Sequence, residues 1–356
     1  MKRERGIDRA DVLTVGCSYK PVSGGIAQVL DIYDNYVFEK FDFIANSKWS
    51  GWRNLFVLVS SLAQFVWRLA SSRRIRIVHI HTSVALCFYR ASIFVLLAKL
   101  FRRQVIIHAH GGAFKDFYVT NPKVIGRILN LSDCIVVLSP SWKAYFEGIA
   151  PKPLVRIVPN PVVLPSEEEL KSRPKASHIR LLFLGLLANS KGIYDLLQVL
   201  SEHKEYFIGK LVLHVGGNGD TLTFEKTVDE LGLSDLVVFH GWLSGEDKRR
   251  ALINADVFIL PSYFEGVPMA ILEAFAYGLA VISTHVGGIP DIVDAQSGIL
   301  FAPGDREAMF AALKSICEDP IRLSQLQTRS LSEGHKYSTQ AVAKSLEALY
   351  DEMLGN

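Results

Sequence analysis

The sequence predicts an α/β protein built from two doubly wound domains. Three observations lead there. The chain has 356 residues, and about 150 residues per domain is the ordinary scale. Short apolar runs alternate with helical stretches in both halves, the pattern of parallel sheets covered on both faces. Between the halves lies a break at Pro151, Pro153, Pro159, Pro161, Pro165 and Pro174, a density of proline that reads as a linker. Composition agrees. Hydrophobic residues make up 49% and charged residues 21% of the chain, enough to bury two cores and too apolar for disorder. The four cysteines are scattered without a C-x-x-C pair, which excludes a disulfide scaffold and points to reduced thiols in a cytosolic setting.

In the first half, runs rich in Val and Ile predict strands over 12–17, 41–45, 75–81, 104–110 and 134–139. Helical spacing of apolar residues predicts helices between them, over 26–35, 54–71 and 91–102. After the proline-rich break the alternation restarts. Strands are predicted over 180–185, 210–215, 236–240, 257–260 and 280–284, and helices near 193–203, 223–231, 245–254 and 269–277. Helical stretches close the chain from Asp305 onward. The two domains are expected over 1–165 and 178–338, facing each other across a cleft. Ligands of such folds bind beyond the carboxyl ends of the strands, so chemistry is sought there.

The net charge of +3 hides an asymmetry: residues 1–165 carry +12 and residues 166–356 carry −9. A basic half favours anionic partners such as a membrane surface or a phosphorylated lipid. Nucleic acid is not expected, because no nucleic-acid module is present. The N-terminus, MKRERGIDRAD, has no apolar segment and reads as no signal peptide. The charge-free stretch between Arg53 and Arg68 is expected to be too short to span a bilayer. Trp49, Trp52, Phe56, Phe65 and Trp67, with Arg53, Arg68, Arg73, Arg74 and Arg76, could instead form an amphipathic, basic, membrane-facing helix. A core helix with a basic end is the other reading.

Several motifs sit at strand ends. Ser23-Gly24-Gly25 follows the first strand and opens a helix, where glycine permits close backbone approach to an anion. His79-Ile80-His81 and His108-Ala109-His110 each end a strand, with both histidines of a pair on one face. A metal pair is conceivable there, but no acidic or cysteine ligands accompany it, and no metal site is expected. Gly111 and Gly112 put His110 at the lip of a turn. Lys191-Gly192 lies where a strand passes into a helix, so the ammonium and the free N–H groups can hold a diphosphate. Gly216-Gly-Asn-Gly-Asp220 reads as a glycine-rich turn. The sharpest constellation runs from Pro261 to Gly278. Glu265 falls in a loop and Glu273 about one turn into a helix, with the N–H groups of Gly266, Val267 and Met269 beside them. One carboxylate can accept two ribose hydroxyls and the other the hydroxyls of a sugar.

With these residues in place the sequence resembles the retaining glycosyltransferases of family 4, which have the GT-B fold of two Rossmann-like domains. The resemblance covers nearly the whole chain. It includes the Gly24-Gly25 loop, the His110-Gly111 corner, the Lys191-Gly192 corner, the Glu265…Glu273 pair, Ser283-Thr-His-Val-Gly-Gly-Ile-Pro290 and Pro303-Gly304-Asp305. His108-Ala-His-Gly111, Ser139-Pro-Ser-Trp142 and Glu265-Gly-Val-Pro-Met-Ala-Ile-Leu-Glu273 are most similar to the bacterial polysaccharide branch, which builds capsule, exopolysaccharide or O-antigen units on a lipid-diphosphate carrier. The resemblance implies that Gly24, Gly25 and Lys191 hold the donor diphosphate and Glu273 the ribose. It implies that Glu265, with Gly266, Val267 and Met269, positions the donor sugar, and that His110 contacts that sugar near the anomeric carbon. It also implies no metal and no cofactor, a nucleotide-sugar donor (UDP before GDP), a lipid-linked acceptor, and a final helix near 339–356 that crosses back to the first domain. The location implied is cytoplasmic, peripheral on the inner face of the plasma membrane. Two departures stand out: Leu186 occupies the place of a usual arginine, and Ala280 that of a common proline. Leu186 keeps open a non-catalytic subunit that binds a nucleotide sugar; an epimerase of the same fold is a further alternative.

Overall fold

The structure, a computed structural model, describes residues 6–22, 24–48, 53–174 and 176–355, and for Arg53 the backbone only. Ser23, Trp49 and Trp52, and the Arg53 side chain, singled out above, lie outside what is described. The chain divides into two compact units, Met1–Pro161 with Thr339–Asn356, and Val162–Ser338.

The first unit is built on a six-stranded sheet in the order β2-β1-β3-β4-β5-β6. Its strands are β1 (Val12–Cys17), β2 (Phe43–Ser47), β3 (Ile77–Thr82), β4 (Gln104–Ala109), β5 (Cys134–Val137) and β6 (Leu154–Ile157). All its strand pairs are parallel. Interior strands such as β3 are buried at every position, which is why they read as unbroken apolar runs rather than alternating ones. The proline-rich break is not wholly linker, because β6 lies inside it. β6 is an edge strand paired with β5 alone, and an edge tolerates flanking prolines that a central strand would not. The returning helix Thr339–Leu354 belongs to this unit. Its Asp351 accepts from Arg9 Nη1 at 2.6 Å, and Glu352 pairs with Arg156.

The helix Arg53–Ser71 packs one face inward, with Phe65 and Leu69 fully buried in the core. Its stretch Asn54–Ser71 is long and apolar enough to cross a membrane by length and composition. That corrects the expectation of a stretch too short to span. Phe65 is also corrected, from membrane-facing to core. Phe56 and Trp67, by contrast, are 68% and 69% exposed.

The second unit carries a six-stranded sheet in the order β12-β11-β10-β7-β8-β9. Its strands are β7 (Ile179–Leu187), β8 (Leu211–Gly219), β9 (Val237–Phe239), β10 (Val257–Leu260), β11 (Ala280–Thr284) and β12 (Gly298–Phe301). All pairs are again parallel. The strand order reverses between β7 and β10, so a crevice is placed at their carboxyl ends. The stretch 216–219 read as a turn is instead the end of β8. Added Cβ atoms would stand 2.7 Å from Leu184 Cδ2 at Gly216 and 2.4 Å from the Gly185 carbonyl at Gly217. Glycine there serves close packing of β8 on β7.

Candidate functional site

At the point where the second sheet reverses, two loops are stitched together. After β7 the chain makes a single turn over Asn189–Lys191, and Gly192 takes the left-handed conformation, φ 67°, to start the helix Ile193–Glu202. A Cβ at Gly192 would lie 2.0 Å from the Pro261 carbonyl oxygen. Only glycine lets the turn approach the loop after β10 this closely. The Tyr263 amide donates to the Ser190 carbonyl at 2.9 Å, closing the seam.

That seam brings Lys191 to Glu265. The ammonium lies 2.5 Å from Glu265 Oε1, and Ser262 Oγ donates to the same oxygen at 2.8 Å. The Glu265 side chain is only 10% exposed, so its charge depends on these donors. The loop is held from below as well. Thr284 Oγ1 donates to the Ser262 carbonyl at 2.6 Å, and the Gly288 amide to the Gly266 carbonyl at 2.7 Å. Gly287, at φ 56°, lies so close that a Cβ would stand 1.8 Å from the Glu265 carbonyl oxygen. Val267 and Met269 are buried, and Met269 opens the helix Met269–Ala276 after Pro268. Glu273, on that helix, pairs with Lys248 at 2.6 Å, and the two side chains are 14% and 24% exposed. The structure therefore gathers Lys191, Glu265, Gly266, Val267, Met269 and Glu273 in one loop-and-helix assembly of the second unit.

Sequence reasoning missed Lys248. It lies on the helix Gly245–Asn254, in a charged run that reads as solvated surface, and no spacing rule links it to Glu273. It also missed Asp195, which accepts from Tyr263 Oη at 3.0 Å and faces Arg306 Nε at 3.3 Å. Leu186 is half-exposed near the end of β7, with its Cδ1 3.0 Å from where a Cβ on Gly219 would be.

In the first unit, Gly24 has φ 85° at the start of the helix Gly25–Ile32, after β1, and His110 follows β4. The two positions are separated by β3 in the sheet. His110 belongs to a cluster of four imidazoles. His81 Nδ1 is 2.9 Å from His110 Nε2, and His79 Nε2 is 3.2 Å from His108 Nδ1. His79 Nδ1 meets Tyr350 Oη of the returning helix at 2.8 Å. In both histidine pairs the rings lie within 16° of parallel, with centroids 5.3 and 5.1 Å apart. Each distance is close to a hydrogen bond plus a ring radius at either end. The partners are thus edge to edge in near-common planes, and the two pairs stack on each other through His79 on His81 and His108 on His110, at 4.6 and 4.2 Å.

His79, His81 and His108 are fully buried, and burial, the leading cause, pushes all three below the usual histidine range. His110 is half-buried and is pushed down to about 3 by desolvation, with Asn160 opposing the shift. The rings are therefore neutral near pH 7. His79, His81 and His108 each bring a nitrogen within 4.8 Å of the others, a spacing a metal could exploit. The geometry does not favour one. Both nitrogens of His79 are in hydrogen bonds, and stacked rings direct their in-plane lone pairs alongside one another rather than onto a common point.

Residues 178–319 match the family described as glycosyl transferases group 1. An uncharacterized protein of the cps region of Klebsiella pneumoniae is 26% identical over 259 residues, 68% of this chain and 69% of that one. A lipopolysaccharide core biosynthesis glycosyltransferase of Rhizobium meliloti is 26% identical over 266 residues, covering 73% and 74% of the two chains. An α-(1→4)-mannosyltransferase of Mycolicibacterium hassiacum is 30% identical over 148 residues, but this match spans only 35% of that protein. Among solved structures, Anabaena HepE in complex with UDP superposes with a TM-score of 0.76 at 16% identity, over 96% of this chain and all of that one. The fold is GT-B, as the sequence predicted.

Proposed function

We propose that the protein is a retaining glycosyltransferase that moves a sugar from a nucleotide sugar to a lipid-diphosphate-linked saccharide during assembly of a bacterial surface polysaccharide. The observation that carries this reading is the meeting of Lys191, Glu265 and the loop that opens the helix Met269–Ala276, at the strand-order reversal of the second sheet. The glycosyl transferases group 1 domain, and relatives named for lipopolysaccharide and colanic acid synthesis, support the class and the pathway. The UDP and UDP-glucose complexes of HepE support a UDP-sugar donor.

In this reading Lys191 and the amides of Gly24 and Gly25 bind the donor diphosphate. Glu273, oriented by Lys248, accepts the ribose hydroxyls. Glu265, oriented by Lys191 and Ser262, accepts hydroxyls of the donor sugar, with Gly266, Val267 and Met269 supplying amides. His110 contacts the sugar beside the anomeric carbon. The bond from that carbon to the diphosphate oxygen breaks, and a bond to the acceptor hydroxyl oxygen forms on the same face through an oxocarbenium-like state. The acceptor proton passes to the leaving diphosphate. Fixed positive groups and amides stabilise the charge that develops on that diphosphate, so the reaction needs neither metal nor cofactor. The protein works at the inner face of the plasma membrane, reaching its acceptor through the exposed face of the helix Arg53–Ser71.

Calorimetric titration with UDP and GDP, with and without EDTA, tests the donor half. UDP binding that survives EDTA and is lost in Glu273→Ala supports it; a Glu273→Ala variant binding UDP as tightly as the parent overturns the assignment. Proton NMR of the product tests retention, and a product of inverted anomeric configuration excludes the same-face route.

A further inference from the structure

The histidine cluster extends beyond the one ring with an assigned role. Its hydrogen bonds can be followed proton by proton. Each ring is neutral, so each carries one N–H and one bare nitrogen. His81 Nε2 and His108 Nε2 are buried and have no hydrogen-bond partner among the described residues. A buried N–H without a partner is rarer in proteins than a bare acceptor without one. The arrangement that leaves both orphans bare puts every proton on Nδ1. His108 then donates to His79 Nε2, and His79 donates to Tyr350 Oη. In the second pair His81 donates from Nδ1 to His110 Nε2. His110 is left with its own proton on Nδ1.

We infer that His81 is a positioning residue for His110: its Nδ1–H, 2.9 Å from His110 Nε2, fixes the orientation of that ring and makes it the Nδ1–H form. The inference rests on the reading that His110 touches the donor sugar. Register supports the division of labour. His81 lies opposite His108 on the neighbouring strand, yet it bonds diagonally to His110, one step nearer the carboxyl end of the sheet. His81 is fully buried while His110 is half-buried, so His81 can reach substrate only through His110. The ring of Tyr33 packs nearly at right angles to that of His81, with centroids 5.6 Å apart at 78°. The interior ring is thus held in place by its neighbours. A ring so held can offer a hydrogen bond to an anionic donor without adding a charge, and only one tautomer can do so at a given nitrogen.

The test combines nitrogen-15 NMR of the histidine rings with transfer kinetics on His81→Leu and His81→Asn. Asparagine places an N–H where His81 Nδ1 stands; leucine places none. In the parent protein the His110 ring is expected as the Nδ1–H form. His81→Leu is expected to move it toward the Nε2–H form and lower kcat by about tenfold or more, the scale seen when the partner that orients a metal-bound histidine is removed. Donor KM is expected to stay within about threefold of the parent, and His81→Asn to restore most of kcat, since the buried donor at His110 Nε2 is restored. An Nε2–H form of His110 in the parent overturns the inference. So does a His81→Leu protein with parental kcat and unchanged His110 shifts, or one that His81→Asn does not rescue. If His81→Leu does not fold, the parent spectrum and His81→Asn still decide. The spectrum needs no turnover, so failure of the transferase reading and failure of this inference are read separately.

Discussion

Glu265 and Glu273 each face an ammonium from another element, at 2.5 Å from Lys191 and 2.6 Å from Lys248. A carboxylate held this way is an oriented acceptor. Two hydrogen bonds from a ribose to a charged acceptor, at about 1.5–3 kcal/mol each, predict that Glu273→Ala lowers kcat/KM by on the order of 100-fold or more. Initial-rate kinetics check this, and near-parental turnover would remove Glu273 from the donor site. The backbone beneath is equally constrained. Gly287→Ala demands a left-handed residue and a Cβ 1.8 Å from the Glu265 carbonyl oxygen. The conformation alone costs about 1–2 kcal/mol, and the contact forces the Glu265 loop to move. A fall in Tm of several degrees together with lost donor binding is expected; an unchanged melt and unchanged binding would show that the loop yields freely. The Glu265…Glu273 pair was legible from its spacing and the strand before it. Lys248 was not, because its contact with Glu273 joins two helices 25 residues apart in sequence, and periodicity reports only on neighbours within an element.

Elements were legible in proportion to how fully they are buried. The predicted bounds of β1, β10 and β11 coincide with those observed, because continuous apolar runs flanked by turns leave little choice. β6 and β12 were missed: both are edge strands, partly exposed, and neither is the unbroken buried apolar run that marks the equally short β10. The histidines of β3 and β4 could be placed on one face from their spacing, but the diagonal pairing needed the register. Their burial makes a further prediction. The folded rings titrate well below the unfolded value near 6.5, to about 3 for His79, so below that value the unfolded chain binds more protons. Stability is therefore full above about pH 6.5 and is lost as the pH falls toward 3, by up to about 1.4 kcal/mol per pH unit for each ring. Melts from pH 8 to pH 4 check it. His79→Leu is expected to flatten the slope by about one ring's share, and an identical slope in that variant would count against the buried neutral cluster. For the helix Arg53–Ser71, exposed Phe56 and Trp67 predict flotation with anionic liposomes that weakens with salt. A Phe56→Glu, Trp67→Glu double variant should stay in the pellet fraction with little change in Tm. Equal flotation of that variant would place lipid contact elsewhere.

At the scale of the whole chain, the charge asymmetry follows the division into units. The basic residues 1–165 supply most of the first unit, and the acidic remainder supplies the second unit together with the returning helix of the first. A basic first unit suits the anionic, lipid-linked acceptor proposed above, while in the second unit Lys191 and Lys248 are the cations paired with Glu265 and Glu273. The chain's end is tied into this scheme. The helix Thr339–Leu354 returns to the first unit and puts Tyr350 against His79, so the last residues of the chain complete the histidine cluster. The proposed activity is metal-independent sugar transfer from a nucleotide sugar to a membrane lipid acceptor. The most direct measurement incubates the purified protein with labelled UDP- and GDP-sugars, bacterial membrane lipid and excess EDTA. Label from a UDP-sugar moving into the lipid fraction is the predicted result. Bound nucleotide without transfer to any lipid acceptor supplied, or transfer abolished by EDTA and restored by a divalent cation, would contradict it.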